Sequence, residues 1–353
     1  MAHDPAKFGF AAKGMTNEMM AFVTVDQIDY AIESMNWDVV STVAYFSLSA
    51  ERDGSIGRNA GWRAWNSDEM TQLIEKAHAN GTKVVISLER FSWSGGQTAV
   101  SRDLLASKDR RGRLAREVAA EVVRRGVDGV NIDFEPIPSG QKDEFTHFVK
   151  TLRRELDRVK PGSQLTFCVV GHHESYDVAA STGPDAADAV YLMGYHYAGT
   201  WSSRAGSTAP MGGNAYDLVD TVISLLDQVE RHEIILGVPY YGHVWPTVGD
   251  RKNARTDGGG FDLSVARAYR LAREHGMNYD EVEQVAWVPF RGEPCDGCAT
   301  RWFQLYFDDA RASAYKWAWI KRNKLLGSGV WTIGFEEEPG LLDEAMRGVF
   351  LRR

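Results

Sequence analysis

Residues 128–136 read DGVNIDFEP, an apolar run in which every second position from 131 to 135 is polar. Because successive side chains of a β-strand point to opposite faces, Asn131, Asp133 and Glu135 share one face of the predicted strand. Buried carboxylates are costly unless they have partners or line a cavity in which a shifted ionisation state is useful. The stretch therefore predicts a strand with a functional face, and an ion pair with Arg90 is the structural alternative.

Similar apolar runs recur along the chain and predict the fold. Eight β-rich runs lie at residues 7–12, 39–48, 83–88, 127–135, 165–170, 189–195, 233–241 and 329–335. Helical periodicity between them is clearest at residues 67–80, 112–125, 141–159, 214–230 and 309–326. Buried strands that alternate with helices predict an α/β protein with a parallel sheet, and eight such units predict a closed (β/α)8 TIM barrel. An open doubly wound sheet is the alternative, but no glycine-rich phosphate loop follows the first run.

The interval between the seventh and eighth runs is too long for a plain βα unit. It extends from residue 241 to residue 329, whereas a βα unit needs roughly thirty residues. We predict a single catalytic barrel of residues 1–353 that contains an insertion of residues 246–308, with a helix near 262–275 followed by a β-hairpin. An insertion at this point would form one wall of the mouth at the C-terminal ends of the strands.

Composition and charge exclude several classes of partner. The 353-residue chain has a net charge of −8 and a pI near 5.7, which argues against binding to a nucleic-acid backbone. The basic run at residues 108–116 is typical of a solvated helix face. No apolar run reaches the roughly 18 residues of a membrane span, and the N-terminal residues do not have the pattern of a signal peptide. We expect a monomer that binds neither nucleic acid nor membrane.

The cysteines and histidines do not form a metal-binding pattern. Cys295 and Cys298 lie in a predicted hairpin turn, where they form a disulfide or are merely close, because one CxxC lacks the second ligand pair of a zinc site. Cys168 is most simply a buried thiol. His172 and His173 are adjacent and would face opposite ways in a strand. We therefore expect no metal and no other cofactor.

Four motifs together resemble glycoside hydrolase family 18, which contains chitinases and related N-acetylglucosaminidases. DGVNIDFE (128–135) resembles the family's strand-four signature DGxDxDxE. YLMGYHY (191–197), GVPYYGHVW (237–245) and GVWTIGFE (329–336) are similar to its motifs on strands six, seven and eight, in the same order. The resemblance covers nearly the whole chain.

The resemblance implies hydrolysis of β-1,4 bonds next to N-acetylglucosamine, with retention of configuration and with the substrate's own acetamido group as the nucleophile. Glu135 is then the general acid, and Asp133 binds the acetamido N–H. Tyr195 donates its hydroxyl to the acetamido oxygen, and Trp331 forms an apolar floor under the sugar. In this family the strand-eight tryptophan commonly precedes a cis peptide bond, so we expect one at Trp331–Thr332.

Further candidates for substrate binding lie within these motifs or on aromatic positions in or after the barrel strands. They are Asn131, Met193, His196, Tyr45, Trp93, Trp201 and Trp245. The flat faces of the indole rings suit the C–H surfaces of pyranose sugars.

Three positions depart from the family pattern. Asn131 replaces the usual first aspartate; it keeps a donor toward Asp133 but adds no charge, so the pKa of Asp133 should be lower than in a carboxylate pair. His196 follows Tyr195 where many members have aspartate, and SLERFSW (87–93) replaces the strand-three motif S-x-G-G. The asparagine variant resembles spore-cortex and cell-wall glucosaminidases of the family.

These features favour a peptidoglycan-type glycan as substrate, with chitin second and N-glycan cores also possible because they carry the same acetamido group. We expect the protein to act outside the cell or at the cell wall. The alternative is a sugar-binding lectin of the same family, although such lectins typically lose the acid and Glu135 is present. A protein that inhibits a partner through its outer helices is a further alternative, since the fold alone fixes no function.

Overall fold

The computed structural model describes residues 5–293, 298–336, 340 and 342–351. Eight parallel strands form a closed barrel in the order β1-β13-β7-β6-β5-β4-β3-β2. These barrel strands are β1 (Glu18–Thr24), β2 (Thr42–Ser49), β3 (Lys83–Phe91), β4 (Gly129–Glu135), β5 (Gln164–Val169), β6 (Ala189–Leu192), β7 (Ile234–Pro239) and β13 (Gly327–Trp331). The predicted (β/α)8 barrel is confirmed.

Helices connect the strands and cover the outside of the barrel. The α-helices outside the insertion are α1 (Ile28–Ser34), α2 (Ala60–Trp65), α3 (Asp68–Ala79), α4 (Gly95–Ala106), α5 (Lys108–Arg125), α6 (Lys142–Val159), α7 (Val178–Ser181), α8 (Leu218–Leu226), α10 (Ala310–Arg322) and α11 (Asp343–Phe350). Short 3₁₀ turns occur at Pro5–Lys7, Val25–Gln27 and Arg231–Glu233. Helix α6 shows why these segments pack on the sheet, because Phe145, Phe148, Leu152 and Leu156 recur at helical spacing and are all buried.

The prediction of the first strand was wrong. Residues 7–12 do not pair with the barrel; the first strand is β1, residues 18–24. Phe8, within the predicted run, is buried against luminal side chains such as Met20 and Leu326. Its apolar character therefore reflects packing inside the barrel rather than strand formation.

The barrel interior is filled by side chains, and one tyrosine occupies its middle. Tyr191 is fully buried and packs edge-on against Phe22, with ring centroids 5.1 Å apart. Two glycines on neighbouring strands make room for it. A Cβ atom at Gly329 would lie 2.4 Å from Tyr191 Cε2, and one at Gly237 would lie 2.6 Å from the Tyr191 hydroxyl. The small residues on β7 and β13 are thus required by the size of this ring.

The insertion is a second, five-stranded sheet with order β10-β11-β12-β8-β9 and antiparallel pairing throughout. Its elements are β8 (Tyr241–Thr247), β9 (Phe261–Ser264), α9 (Val265–His275), β10 (Asn278–Asp280), β11 (Val285–Gly292) and β12 (Arg301–Phe307). The predicted helix and hairpin are present, but the sheet begins at Tyr241 rather than at residue 246. Residues 294–297, part of the turn expected from the sequence, lie outside the described residues, so pairing of Cys295 with Cys298 stays a prediction.

Neither a membrane-spanning helix nor a metal-binding cluster occurs in the ranges that the structure describes. None of the helices there is both long and apolar enough to cross a bilayer. The same ranges contain no group of three or more His, Cys, Asp or Glu side chains placed to hold a metal ion.

Candidate active site

A cavity of about 300 Å³ opens at the C-terminal ends of the barrel strands. It is lined by Phe22, Phe46, Phe91, Asp133, Glu135, Cys168, Met193, Tyr195, His196 and Trp331. A second cavity of about 450 Å³ also borders His196 and Trp331 and extends along the insertion residues Tyr241 and Asp262. The two cavities adjoin at these shared residues, and together they are called the cleft.

Strand β4 presents its polar side chains to the barrel interior. Asn131 and Asp133 are buried, with Asp133 4% exposed, and Glu135 is partly exposed at the rim. The alternate residues face the helices; Phe134, for example, stacks on Phe148 with centroids 5.3 Å apart. The alternation predicted from the sequence thus directs both carboxylates into the lumen.

The two carboxyl groups of β4 have raised pKa values. The pKa of Asp133 is raised to about 7, first by burial and then by the negative charge of Glu89. The pKa of Glu135 is raised to about 9 by burial and by the charges of Asp133 and Glu89. Glu135 consequently keeps its proton at neutral pH, the state that a general acid needs.

Asn131 lies one layer below Asp133 and is fixed by strand β5. Its Nδ2 donates to Cys168 Sγ at 3.3 Å, and its Oδ1 accepts from Thr166 Oγ1 at 2.8 Å. The expected donation from Asn131 to Asp133 was wrong, because the amide is turned toward β5 and makes no hydrogen bond to Asp133. The Asn131 amide thus links β4 to β5 inside the barrel and does not bond to the Asp133 carboxyl group.

Tyr195, Met193 and Trp331 complete the walls around the carboxylates. Burial keeps the pKa of Tyr195 well above its usual value, so its hydroxyl remains a donor. The indole of Trp331 packs against Phe46, with centroids 4.7 Å apart, and forms an apolar surface of the cavity. The Trp331–Thr332 peptide is cis, as expected.

His196 lies in the cleft. Its ring centroid is 5.3 Å from that of Tyr195 and 5.9 Å from that of Tyr241. Burial lowers its pKa, with the nearby His243 as the second cause, so the imidazole is neutral at neutral pH. His243 in turn pairs through Nδ1 with Asp262, at 2.6 Å. Sequence reasoning missed this His243–Asp262 pair because it forms between two strands of the insertion.

The comparisons with known proteins agree with this geometry. The family model for glycosyl hydrolases family 18 matches residues 3–336. The chain belongs to glycosyl hydrolase family 18.

Two relatives of the chain carry different names, one a glycosylase and the other a chitinase. The chain is 27% identical over 292 residues to the sporulation-specific glycosylase YdhD, as it is named, of Bacillus subtilis. It is 29% identical over 328 residues to chitinase 1 of Aphanocladium album. The matches cover 78% and 83% of this chain, and 65% and 71% of the two relatives.

Solved family 18 structures share the fold. A chitinase of Cycas revoluta in complex with (GlcNAc)3 superposes with a TM-score of 0.79 at 18% identity, covering 94% of this chain and 98% of that one. A chitinase-like agglutinin of Robinia pseudoacacia has the same TM-score at 16% identity, with the same coverage of both chains. The fold is thus common to a chitinase and an agglutinin, so the side chains at the mouth have to distinguish the two activities.

Two predicted substrate-binding residues of this family 18 chain are buried away from the cleft. Tyr45 faces the helices, where its hydroxyl donates to the Gly61 carbonyl at 2.7 Å, because its neighbours at 44 and 46 face the lumen. Trp245 is 0% exposed, and its indole N–H donates at 3.1 Å to the carbonyl of Gly199, in the segment between β6 and α8. Neither ring can stack on a sugar, so both predictions were wrong.

The other two tryptophans remain accessible to a glycan. Trp93 is 62% exposed just beyond β3, and Trp201 is 71% exposed. The ring centroid of Trp201 lies 6.1 Å from that of His196, so it extends the aromatic border of the cleft.

The ion-pair alternative for β4 does not hold. Arg90 donates to the backbone carbonyls of Ala50 and Phe91 rather than to Asp133 or Glu135. The charged neighbour that sequence reasoning missed is Glu89, whose Cα pairs with that of Asp133 in the β3–β4 register. The only signal in the sequence was its position two residues before Phe91, on the face of β3 that also carries Ser87.

Proposed function

We propose that this chain is a retaining glycoside hydrolase that cleaves β-1,4 bonds next to N-acetylglucosamine by substrate-assisted catalysis. The observation that carries the proposal is the pair of carboxyl groups on β4, which lie in one lumen with pKa values raised to about 7 and about 9. At a pH between these values, Asp133 is ionised while Glu135 still holds its proton. The reaction needs this combination of charge states.

Each residue then has a defined task. Glu135 donates its proton to the departing glycosidic oxygen, and the acetamido oxygen of the sugar attacks the anomeric carbon. Asp133 accepts the acetamido N–H and stabilises the positive charge of the oxazolinium ring, while Tyr195 donates to the acetamido oxygen. Trp331 supports the apolar face of the sugar. Water then opens the ring with Glu135 as the base, which gives the retained configuration.

We favour peptidoglycan-type glycans as the substrate, with chitin oligomers second. Asn131 at the first position of the strand-four motif and the similarity to YdhD support the first choice. The similarity to chitinase 1 supports the second. Both glycans are polymers that bacteria or their surroundings present outside the cytoplasm, so we also propose that the protein acts at the cell wall or outside the cell.

The test compares the wild type with Glu135→Gln on chitin oligomers and on purified peptidoglycan, with products identified by mass spectrometry. The glutamine keeps shape and hydrogen bonding but carries no transferable proton, so turnover should fall at least about a hundredfold while glycan binding persists. Near wild-type turnover would refute the role of Glu135. A wild-type protein that binds N-acetylglucosamine oligomers and cleaves no glycan would be a lectin.

The mechanism has its own test. Proton NMR within the first minutes should show product with retained β configuration, and a thiazoline that mimics the oxazoline ring should inhibit strongly. Asp133→Ala should lose turnover and most of this inhibition, because the acceptor for the N–H is gone. Inverted product would rule out substrate assistance.

A further inference from the structure

Glu89 is a third carboxylate of the lumen, supplied by the strand beside β4. The β3–β4 register pairs Ser87 with Asn131, Glu89 with Asp133 and Phe91 with Glu135. Laterally paired residues of parallel strands point to the same face, and Phe91 and Asp133 both line the cavity. The Glu89 side chain therefore extends into the lumen beside that of Asp133.

The hydrogen bonds of Asp133 leave room for such a partner. Its Oδ1 is buried and has no hydrogen-bond partner among the residues that the structure describes. Asn131, directly below it, has both amide atoms engaged by Cys168 and Thr166. A buried carboxylate oxygen in this position is stabilised either by a proton of its own or by one that a neighbour holds.

The groups that face Glu89 are largely acidic. From β4 they are Asp133 and Glu135, and beyond the end of β2 there is Glu51. Arg90, on the same strand, contributes a favourable charge, but its side chain binds backbone carbonyls. The Ser47 hydroxyl also favours the charged form of Glu89. The facing thiol of Cys168 and the hydroxyls of Tyr191 and Tyr195 stay protonated, since burial keeps the pKa of each well above its usual value.

We propose that Glu89 is a positioning residue that shares one proton with Asp133 and thereby sets the charge of Asp133 during the reaction. The inference rests on the proposed function. Glu89 holds the proton that the two carboxyl groups share, so that Asp133 is already a carboxylate when the positive charge of the oxazolinium ring develops. The O–H bond stays on Glu89 throughout the cycle, so the inference involves no net proton transfer and needs no other reactant.

The electrostatics of the cluster agree with this assignment. Burial raises the pKa of Glu89, and the Glu89 charge raises the pKa of both Asp133 and Glu135. Buried carboxyl groups whose charges repel do not all ionise near neutral pH, so protons are distributed over the three groups as a whole. The charge of Glu89 therefore moves the range in which Asp133 is charged and Glu135 is protonated to higher pH.

The experiment measures the pH dependence of kcat/KM for wild type and Glu89→Gln on (GlcNAc)4 and on peptidoglycan. Removing the Glu89 charge lowers the pKa of both β4 carboxyl groups, so both limbs of the profile should move to lower pH. Relative to its own maximum, the variant should gain at least about threefold in rate at pH 6 and lose about threefold at pH 10. Glu75→Gln, which removes an exposed carboxylate from α3, should leave both limbs in place.

Other roles for Glu89 give other results. If it only binds sugar, Glu89→Gln raises KM and leaves the limbs unchanged; if it only stabilises the barrel, the variant unfolds at lower temperature and keeps its profile. Either result overturns the inference.

Adding Asn131→Asp to Glu89→Gln restores a carboxylate beside Asp133 and should return the acid limb of the pH profile toward the wild-type position. Should Glu89→Gln not fold, Glu89→Asp retracts the carboxylate by one methylene and should move the limbs in the same direction.

A measurement without turnover separates this inference from the proposed function. The carboxyl ¹³C resonance of Asp133, assigned by comparison with Asp133→Asn, is titrated in the free wild type and in Glu89→Gln. A midpoint that moves to lower pH supports the coupling even if the protein cleaves none of the glycans. An unchanged midpoint overturns it even if the protein is an active hydrolase.

Discussion

Replacing Gly329 by alanine should destabilise the barrel by crowding Tyr191. The added Cβ would lie 2.4 Å from Tyr191 Cε2, 2.9 Å from the Tyr191 hydroxyl and 2.9 Å from the Met20 carbonyl oxygen. A normal contact between carbon atoms is about 3.5–4.0 Å, so a separation of about 1 Å has to be gained by movement of the ring or of the strand. The ring is confined by other neighbours as well, because it packs edge-on against Phe22 and its hydroxyl lies against Gly237, the β7 neighbour of Gly329.

Overpacking of this kind costs about 1–3 kcal/mol of unfolding free energy. In a protein of this size each kcal/mol lowers Tm by about 2–4 °C, so calorimetry resolves the effect. Activity should fall as well, since Tyr191 and Tyr195 belong to the same buried cluster inside the barrel and a displaced Tyr191 ring would shift Tyr195.

The control is Gly348→Ala, on the exposed side of α11, where a Cβ meets nothing within 4 Å outside its own helix. This change should leave Tm unchanged or raise it slightly, because alanine favours helix. The double variant Gly329→Ala/Tyr191→Leu should lose less unfolding free energy than the two single variants lose added together, since the smaller side chain relieves the overlap. If Gly329→Ala melts with the wild type, Tyr191 does not fill the lumen as described.

Three further outcomes are expected. The wild-type pH profile of kcat/KM should rise through about pH 7, where Asp133 ionises, and fall through about pH 9, where Glu135 loses its proton; a flat profile over this range would contradict both roles. Tyr195→Phe should lower kcat about a hundredfold with an unchanged melting temperature, as measured by initial rates and calorimetry, because one donor to the acetamido oxygen is lost. Lys316→Met should lower the unfolding free energy, measured in urea, by about 3–5 kcal/mol, because it leaves the charge of the fully buried Asp308, its ion-pair partner at 2.8 Å, without a partner. The double variant Lys316→Met/Asp308→Leu removes both charges and should recover most of the loss.

His196→Gln separates the two possible origins of the acid limb. The pKa of His196 is lowered by burial, so a rise of activity through about pH 7 belongs to Asp133 and should persist in this variant. Loss of the limb in His196→Gln would assign it to the imidazole instead.

The sequence was informative where local periodicity determines structure. Alternation along residues 128–136 correctly directed Asp133 and Glu135 into the lumen, and the alternation of apolar runs with helices predicted the barrel. The same rule, applied to Tyr45, would have excluded it, since it is the neighbours at 44 and 46 that face inward. The first strand was missed because the aromatic residues of 7–12 resemble a strand, although Phe8 is only a buried side chain within a turn.

Features that depend on contacts between distant segments could not be predicted. The proximity of Glu89 to Asp133 follows from the register of two strands, which no pattern within either strand specifies. Trp245 looked accessible at a strand end, but the antiparallel sheet of the insertion covers it. The His243–Asp262 pair likewise requires that β8 and β9 lie side by side.

The junction between barrel and insertion restricts how the cleft can move. A single residue, Tyr240, joins β7 to β8; its N–H donates to the Trp331 carbonyl at 2.7 Å, and its carbonyl accepts from Val265 N at 2.9 Å. Hinges need residues whose backbone angles can change freely, and Tyr240 is held at both ends. The insertion is therefore a fixed wall that does not swing shut over a bound chain. Access to the cleft from this side is therefore not gated by motion at Tyr240, in contrast to enzymes in which a lid closes over the substrate.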